Sequence, residues 1–104
     1  VKLKWARAAT KHRISRERSR HVIEHCGLRF EEKPPANAPA GASTRLVFLG
    51  DDAKGTALEV MAVELDDGSL LVIHAMPLRD RYRKQYEEVK NGEGREENQE
   101  ESKD

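Results

Sequence analysis

Two apolar segments, Thr56–Leu65 and Ser69–Met76, are joined through Asp66-Asp67-Gly68-Ser69. An Asp-Gly pair between such runs favours a two-residue hairpin turn. With Asp67 and Gly68 as the turn, Asp66 faces Ser69 and Leu65 faces Leu70. Further from the turn, Met61 faces His74, Val60 faces Ala75 and Glu59 faces Met76. Period-two alternation then sorts the side chains. One face carries Leu58, Val60, Ala62, Leu71, Ile73 and Ala75, with Glu64 near the turn, and is nearly pure core. The other carries Glu59, Met61, Val63, Leu65, Leu70, Val72, His74 and Met76. It places Glu59 and His74 as diagonal neighbours within side-chain reach. A slip of one residue would exchange these faces, so the register is a specific expectation.

The rest of the chain is read outward from this hairpin. Pro77 suits the first turn of a helix, where its missing N–H is not needed. Leu78, Tyr82, Gln85 or Tyr86, and Val89 then share one face, beside the basic Arg79, Arg83 and Lys90. Asn91-Gly92 is the expected end of this helix. Upstream, Lys2–Trp5 reads as a brief strand, Ala6–Arg13 as a short helix, and Arg16–Cys26 as a second helix capped by Ser15 and stopped by Gly27. Leu28–Lys33 and Arg45–Leu49 read as strands, separated by the Pro34–Ser43 loop. The expected fold is α+β: small N-terminal helices packed on a mainly antiparallel sheet of about four strands, followed by a C-terminal helix. Residues 1–90 form one domain. Residues 91–104 are an acidic tail without apolar residues, expected to be disordered.

Composition narrows the function classes. Hydrophobic and charged residues each make up 37% of 104 residues, and the apolar ones concentrate in 46–76, enough for one small core. No apolar run is long enough for a membrane span. The basic N-terminus lacks the apolar centre of a signal peptide. With Cys26 as the single cysteine, no internal disulfide is possible, and a cytoplasmic location is the simplest expectation. The net charge of zero hides a partition: residues 1–30 carry +7, 31–74 carry −5, 75–90 carry +2 and 91–104 carry −4. Two basic helical blocks suit a polyanionic partner if they meet on one surface. His12, His21 and His25 read as surface histidines. His21 and His25 are two ligands without a third, so neither a metal site nor a cofactor is expected.

The segment Leu71-Val-Ile-His-Ala-Met-Pro-Leu-Arg-Asp-Arg-Tyr-Arg-Lys-Gln-Tyr86 carries a family resemblance. It is similar to the closing pattern of BrnT-type toxins of bacterial type II toxin–antitoxin systems, within the broader RelE/ParE-like group. That pattern is an apolar strand, Ser-Ala-Arg, and a helix with Glu-Arg-x-x-Tyr. Ala75, Arg83 and Tyr86 match. His74 stands where the family has Ser, Met76 where it has Arg, and Tyr82 where it has Glu. The N-terminal strand with Trp5, the basic helical region and the Arg45 strand have counterparts in order, so the similarity runs over most of residues 2–88. The resemblance implies a RelE-like fold and a small ribonuclease that arrests translation and growth. It also implies a cognate antitoxin, RNA as the target (mRNA, at the ribosome or free), and a homodimer or toxin–antitoxin hetero-oligomer.

Metal-independent RNA cleavage needs a base for the ribose 2′-hydroxyl, cations for the phosphate in flight, and an acid for the leaving oxygen. A histidine side chain can serve as acid or base near neutral pH, so His74 is the candidate for that role, with Glu59 as its carboxylate partner. Arg79 and Arg83 are candidates for phosphate, which a guanidinium grips through paired N–H donors. Tyr82 is a candidate proton donor. Arg45, Arg81, Tyr86, Arg16 and Arg20 are candidate RNA contacts. The alternative is a non-catalytic module that binds nucleic acid or an acidic protein through its basic helices.

Overall fold

The computed structural model describes residues 2–34, 36–39 and 43–102. Strands β1 (Leu3–Trp5), β2 (Leu28–Glu32), β3 (Arg45–Asp51), β4 (Ala57–Glu64) and β5 (Leu70–Pro77) form one sheet, with helices α1 (Arg16–His25) and α2 (Asp80–Ser102). A single 3₁₀ turn, Arg7–Thr10, stands where a short helix is expected over 6–13. Part of the Pro34–Ser43 loop falls outside the described residues.

The sheet order is β1-β5-β4-β3-β2. Its four larger strands are antiparallel neighbours, while β1 pairs parallel to β5, Trp5 opposite Val72. The fold is therefore α+β with a five-stranded mixed sheet. All five segments read as strands join this sheet, one more than the expected count of about four, and the parallel pairing of the brief N-terminal strand needs the whole chain between β1 and β5 as its connection.

Each sheet face has its own core. On one face Leu46, Phe48, Leu58, Val60, Ala62, Leu70, Val72 and Ala75 pack with Ala9 of the 3₁₀ turn, Val22 of α1 and Ile14 from the connection between them. On the other, Val47, Leu49 and Met61 pack with Leu78 and Tyr82. Because both faces are covered, β3 and β4 are almost continuously buried rather than alternating.

The hairpin keeps the expected register at one end and changes it at the other. Met61 faces His74, Val60 faces Ala75 and Glu59 faces Met76, as expected. Near the turn the register is one residue off: Glu64 faces Leu70 and Ala62 faces Val72. The turn holds three residues, not two. Leu65 N–H donates to Ser69 C=O and Gly68 N–H to Leu65 C=O, with Gly68 at φ 86°. That left-handed conformation suits glycine. An irregularity opposite Met61/Ala62 absorbs the offset, leaving Ile73 as the extra residue on β5. Leu70 and Val72 thus join the α1 face, and Ile73 joins the α2 face, reversing the expected sides for this part of β5.

Helix α1 starts as expected, with Ser15 Oγ accepting from the Arg18 N–H at 3.1 Å. Pro77 closes β5 instead of opening α2. Leu78 N–H still donates to Ala57 C=O, so the neighbouring Pro77 nitrogen points to the outer edge, where β1 has ended and no ladder bond is lost. Helix α2 runs past Asn91-Gly92 to Ser102. Glutamate, glutamine and lysine are good helix formers and no proline interrupts 78–104, so the change in composition at 91 does not coincide with a helix end. Among the described residues no helix is long and apolar enough to cross a membrane.

Candidate functional site

Glu59 is the centre of the site. It lies in β4 and is fully buried. An ionised carboxylate there must have its oxygens satisfied. Oε1 accepts from the Arg79 backbone N–H at 2.8 Å. Oε2 accepts from Arg79 Nε at 2.7 Å, Arg79 Nη2 at 2.6 Å and His74 Nε2 at 3.0 Å. Burial pushes the carboxyl pKa up, but the hydrogen bonds from His74 and Arg79 outweigh it and hold the group at about 2. Since the carboxylate can only accept, His74 must present Nε2–H to it, which leaves Nδ1 as the free nitrogen of a neutral ring. Arg79 Nη1 is likewise left over, and that side chain is 38% exposed.

His12 completes the group. Its ring lies 5.8 Å from that of His74, edge-on at 65°. It follows the 3₁₀ turn, which packs against β5, and the next residue, Arg13, adopts a left-handed φ of 65°. Such a conformation is costly for a residue with a Cβ and persists where surrounding contacts fix the chain. Two histidines, a buried carboxylate and a guanidinium thus converge where β5 runs on beyond β1.

A second carboxylate organises residues of the expected RNA surface. Glu32 accepts from Arg45 at 3.0 Å, Arg81 at 2.9 Å and the Tyr82 hydroxyl at 2.9 Å. Tyr82 is 2% exposed. Burial first, then Glu32, raises its hydroxyl to about 12, so it remains a protonated donor to Glu32 and has no open face for a base. Arg81 also stacks on this ring at 4.7 Å, and Arg79 lies 5.8 Å from it.

The other expected residues are dispersed. Arg83 lies along the outer side of α2, 3.7 Å from Asp80 and 3.9 Å from Glu87. Tyr86 donates to Asp51, and Lys90 donates to the Tyr86 hydroxyl at 3.1 Å. Burial and Asp51 raise the Tyr86 pKa. Arg16 and Arg20 project from α1 over Trp5, at 5.6 and 5.9 Å from the ring centre. The structure therefore brings together His74, Glu59 and Arg79 and adds His12. It sets Tyr82, Arg45 and Arg81 around Glu32, and gives Arg83, Tyr86, Arg16 and Arg20 partners outside that group. His12 and Trp5 go unread as site residues in the sequence because the parallel β1–β5 pairing that positions them has no local signature. Among the described residues no group of three or more His, Cys, Asp or Glu side chains is placed to hold a metal ion. Comparison with protein-family models, with curated proteins and with solved structures returns no match.

Proposed function

We propose that this protein is a metal-independent endoribonuclease, a cytoplasmic toxin of the BrnT type within the RelE-like fold group, held inactive by a cognate antitoxin. The observation that carries the chemistry is the His74 ring held by buried Glu59 with His12 at 5.8 Å. The toxin role and the antitoxin partner rest on the sequence resemblance. His74 Nδ1 takes the proton of a ribose 2′-hydroxyl, and the 2′-oxygen attacks phosphorus. The P–O5′ bond breaks as protonated His12 gives its proton to the leaving 5′-oxygen. The products are a 2′,3′-cyclic phosphate and a 5′-hydroxyl. Arg79 Nη1 donates to a non-bridging phosphate oxygen, while Glu59 holds the His74 ring and the guanidinium in place.

A second reading, a binding module without catalysis, is favoured by the Arg79–Glu59 ion pair, which neutralises much of the guanidinium's charge for an incoming phosphate. Expression in a strain lacking any antitoxin separates the two. The ribonuclease reading expects growth arrest by the wild type and relief by His12→Ala or His74→Ala, with the variants still folded. Absence of arrest by a folded, soluble wild type would sink the toxin reading.

A further inference from the structure

Cations on the two sides of the sheet are in different electrostatic states. Among the described side chains on the α2 side, Arg79 pairs with Glu59, Arg81 with Glu32, Arg83 with Asp80 and Lys90 with Asp51, and Lys84 has no such partner. On the N-terminal side Lys4 pairs with Asp67 and Arg18 with Asp52, but Arg7, Lys11, Arg13, Arg16 and Arg20 are exposed, and none of these five forms an ion pair among the described residues. A cation already paired can still donate one hydrogen bond to a phosphate but adds little counterion release along a chain of them, whereas unpaired exposed cations release counterions on binding it. Among the described residues, the unpaired positive charge therefore lies mainly over the 3₁₀ turn and α1 rather than along α2.

Within that surface stands a partly exposed aromatic ring. Trp5 packs one part of its indole against the α1-side core, and Arg16 and Arg20, one helical turn apart, lie over it. A guanidinium-flanked indole offers stacking to any base and charge to the phosphate beside it. Trp5 is registered with Val72 on the α1 face, and past the Ile73 irregularity His74 lies on the α2 face opposite Met61, so a strand joining them rounds the sheet edge at His12. Arg7, Lys11 and Arg13 occupy the chain between Trp5 and α1, around His12.

We infer that single-stranded RNA reaches the His12–His74 pair across this N-terminal face, and that Trp5, Arg16 and Arg20 form a subsite that stacks a base and grips its phosphate. This assignment rests on the ribonuclease reading for the identity of the strand, but the subsite is separable from the chemistry. An acidic polypeptide would use the charges and leave the ring idle, so the single strand fits the whole arrangement better.

Trp5 is the only tryptophan in the chain, so its fluorescence reports the subsite directly. The test titrates the full-length protein with a single strand of roughly 12 nucleotides, 2′-O-methylated to prevent 2′-hydroxyl attack. The expected result is saturable quenching, with Arg16→Ala/Arg20→Ala raising Kd about tenfold or more and lowering the salt slope by about 1.4. Lys54→Ala/Lys84→Ala, on exposed cations elsewhere, should change Kd by less than about twofold. Absence of quenching, equal losses in both double variants, or equal affinity for an RNA duplex or polyglutamate would overturn the subsite. Cleavage of the unmodified strand is followed in parallel. Quenching without cleavage keeps the subsite and removes the ribonuclease reading; cleavage without quenching does the reverse.

Discussion

Glu59 shows how one buried side chain ties stability to the site. Its carboxylate accepts from a backbone N–H, a guanidinium and an imidazole, and its pKa is held at about 2 against an ordinary 4.5. The unfolded chain therefore binds more protons than the folded one as pH falls, so this stabilisation is full above about 4.5 and is lost towards 2. Glu59→Gln leaves Arg79 without its counter-charge and should cost roughly 3 kcal/mol at neutral pH. Urea unfolding across the acid range checks this, because the gap between wild type and variant should narrow as pH drops. Asp52 and Asp67 are also lowered, so the difference between the two proteins is the informative quantity. At Tyr82 the expectation is different. Its hydroxyl serves Glu32, so Tyr82→Phe should cost about 1–2 kcal/mol and leave any RNA cleavage within about twofold, a contrast that paired urea and cleavage measurements resolve. The Glu59–His74 contact was legible in the sequence because alternation across a hairpin is a local rule. His12 was not, since its neighbour lies 62 residues away through a parallel pairing that no short pattern announces.

The hairpin of β4 and β5 shows where reading by element succeeds and stops. The pairs that matter to the site, Met61 with His74 and Glu59 with Met76, follow from the pattern. The turn end does not, because Asp67-Gly68 fits both a two-residue turn and the end of a three-residue one. The offset from the longer turn is taken up at Ile73, so two errors in the turn-based register cancel before the site begins. Gly68 sits at φ 86° in open space, so a substitution there meets backbone strain and no clash. Gly68→Ala should therefore lower stability by about 1 kcal/mol without altering the His74 environment, measurable as a lower urea midpoint with unchanged histidine NMR shifts. The Pro77 expectation failed for a related reason. Proline opens helices and closes exposed strand edges equally well, and only the early end of β1 decides between them.

Across the whole molecule, the sheet separates two charge regimes. The sequence blocks of positive charge fall on opposite faces, and they approach each other at the His12–His74–Glu59–Arg79 group. Formal charge counts along the chain locate the blocks but not their partners, so the sequence assigns RNA contacts to both α1 and α2, whereas in the fold Glu32, Asp51 and Glu59 engage cations of the α2 side. The central claim is that His12 and His74 are a proton-transfer pair. Its most direct test is the pH–rate profile for cleavage of an RNA oligonucleotide in the presence of a metal chelator. The predicted result is a bell-shaped profile near neutrality, a 2′,3′-cyclic phosphate product, and a loss of about 100-fold or more with one limb of the bell removed in His12→Ala and in His74→Ala. Absence of cleavage, or a rate and profile that survive both substitutions, would contradict it.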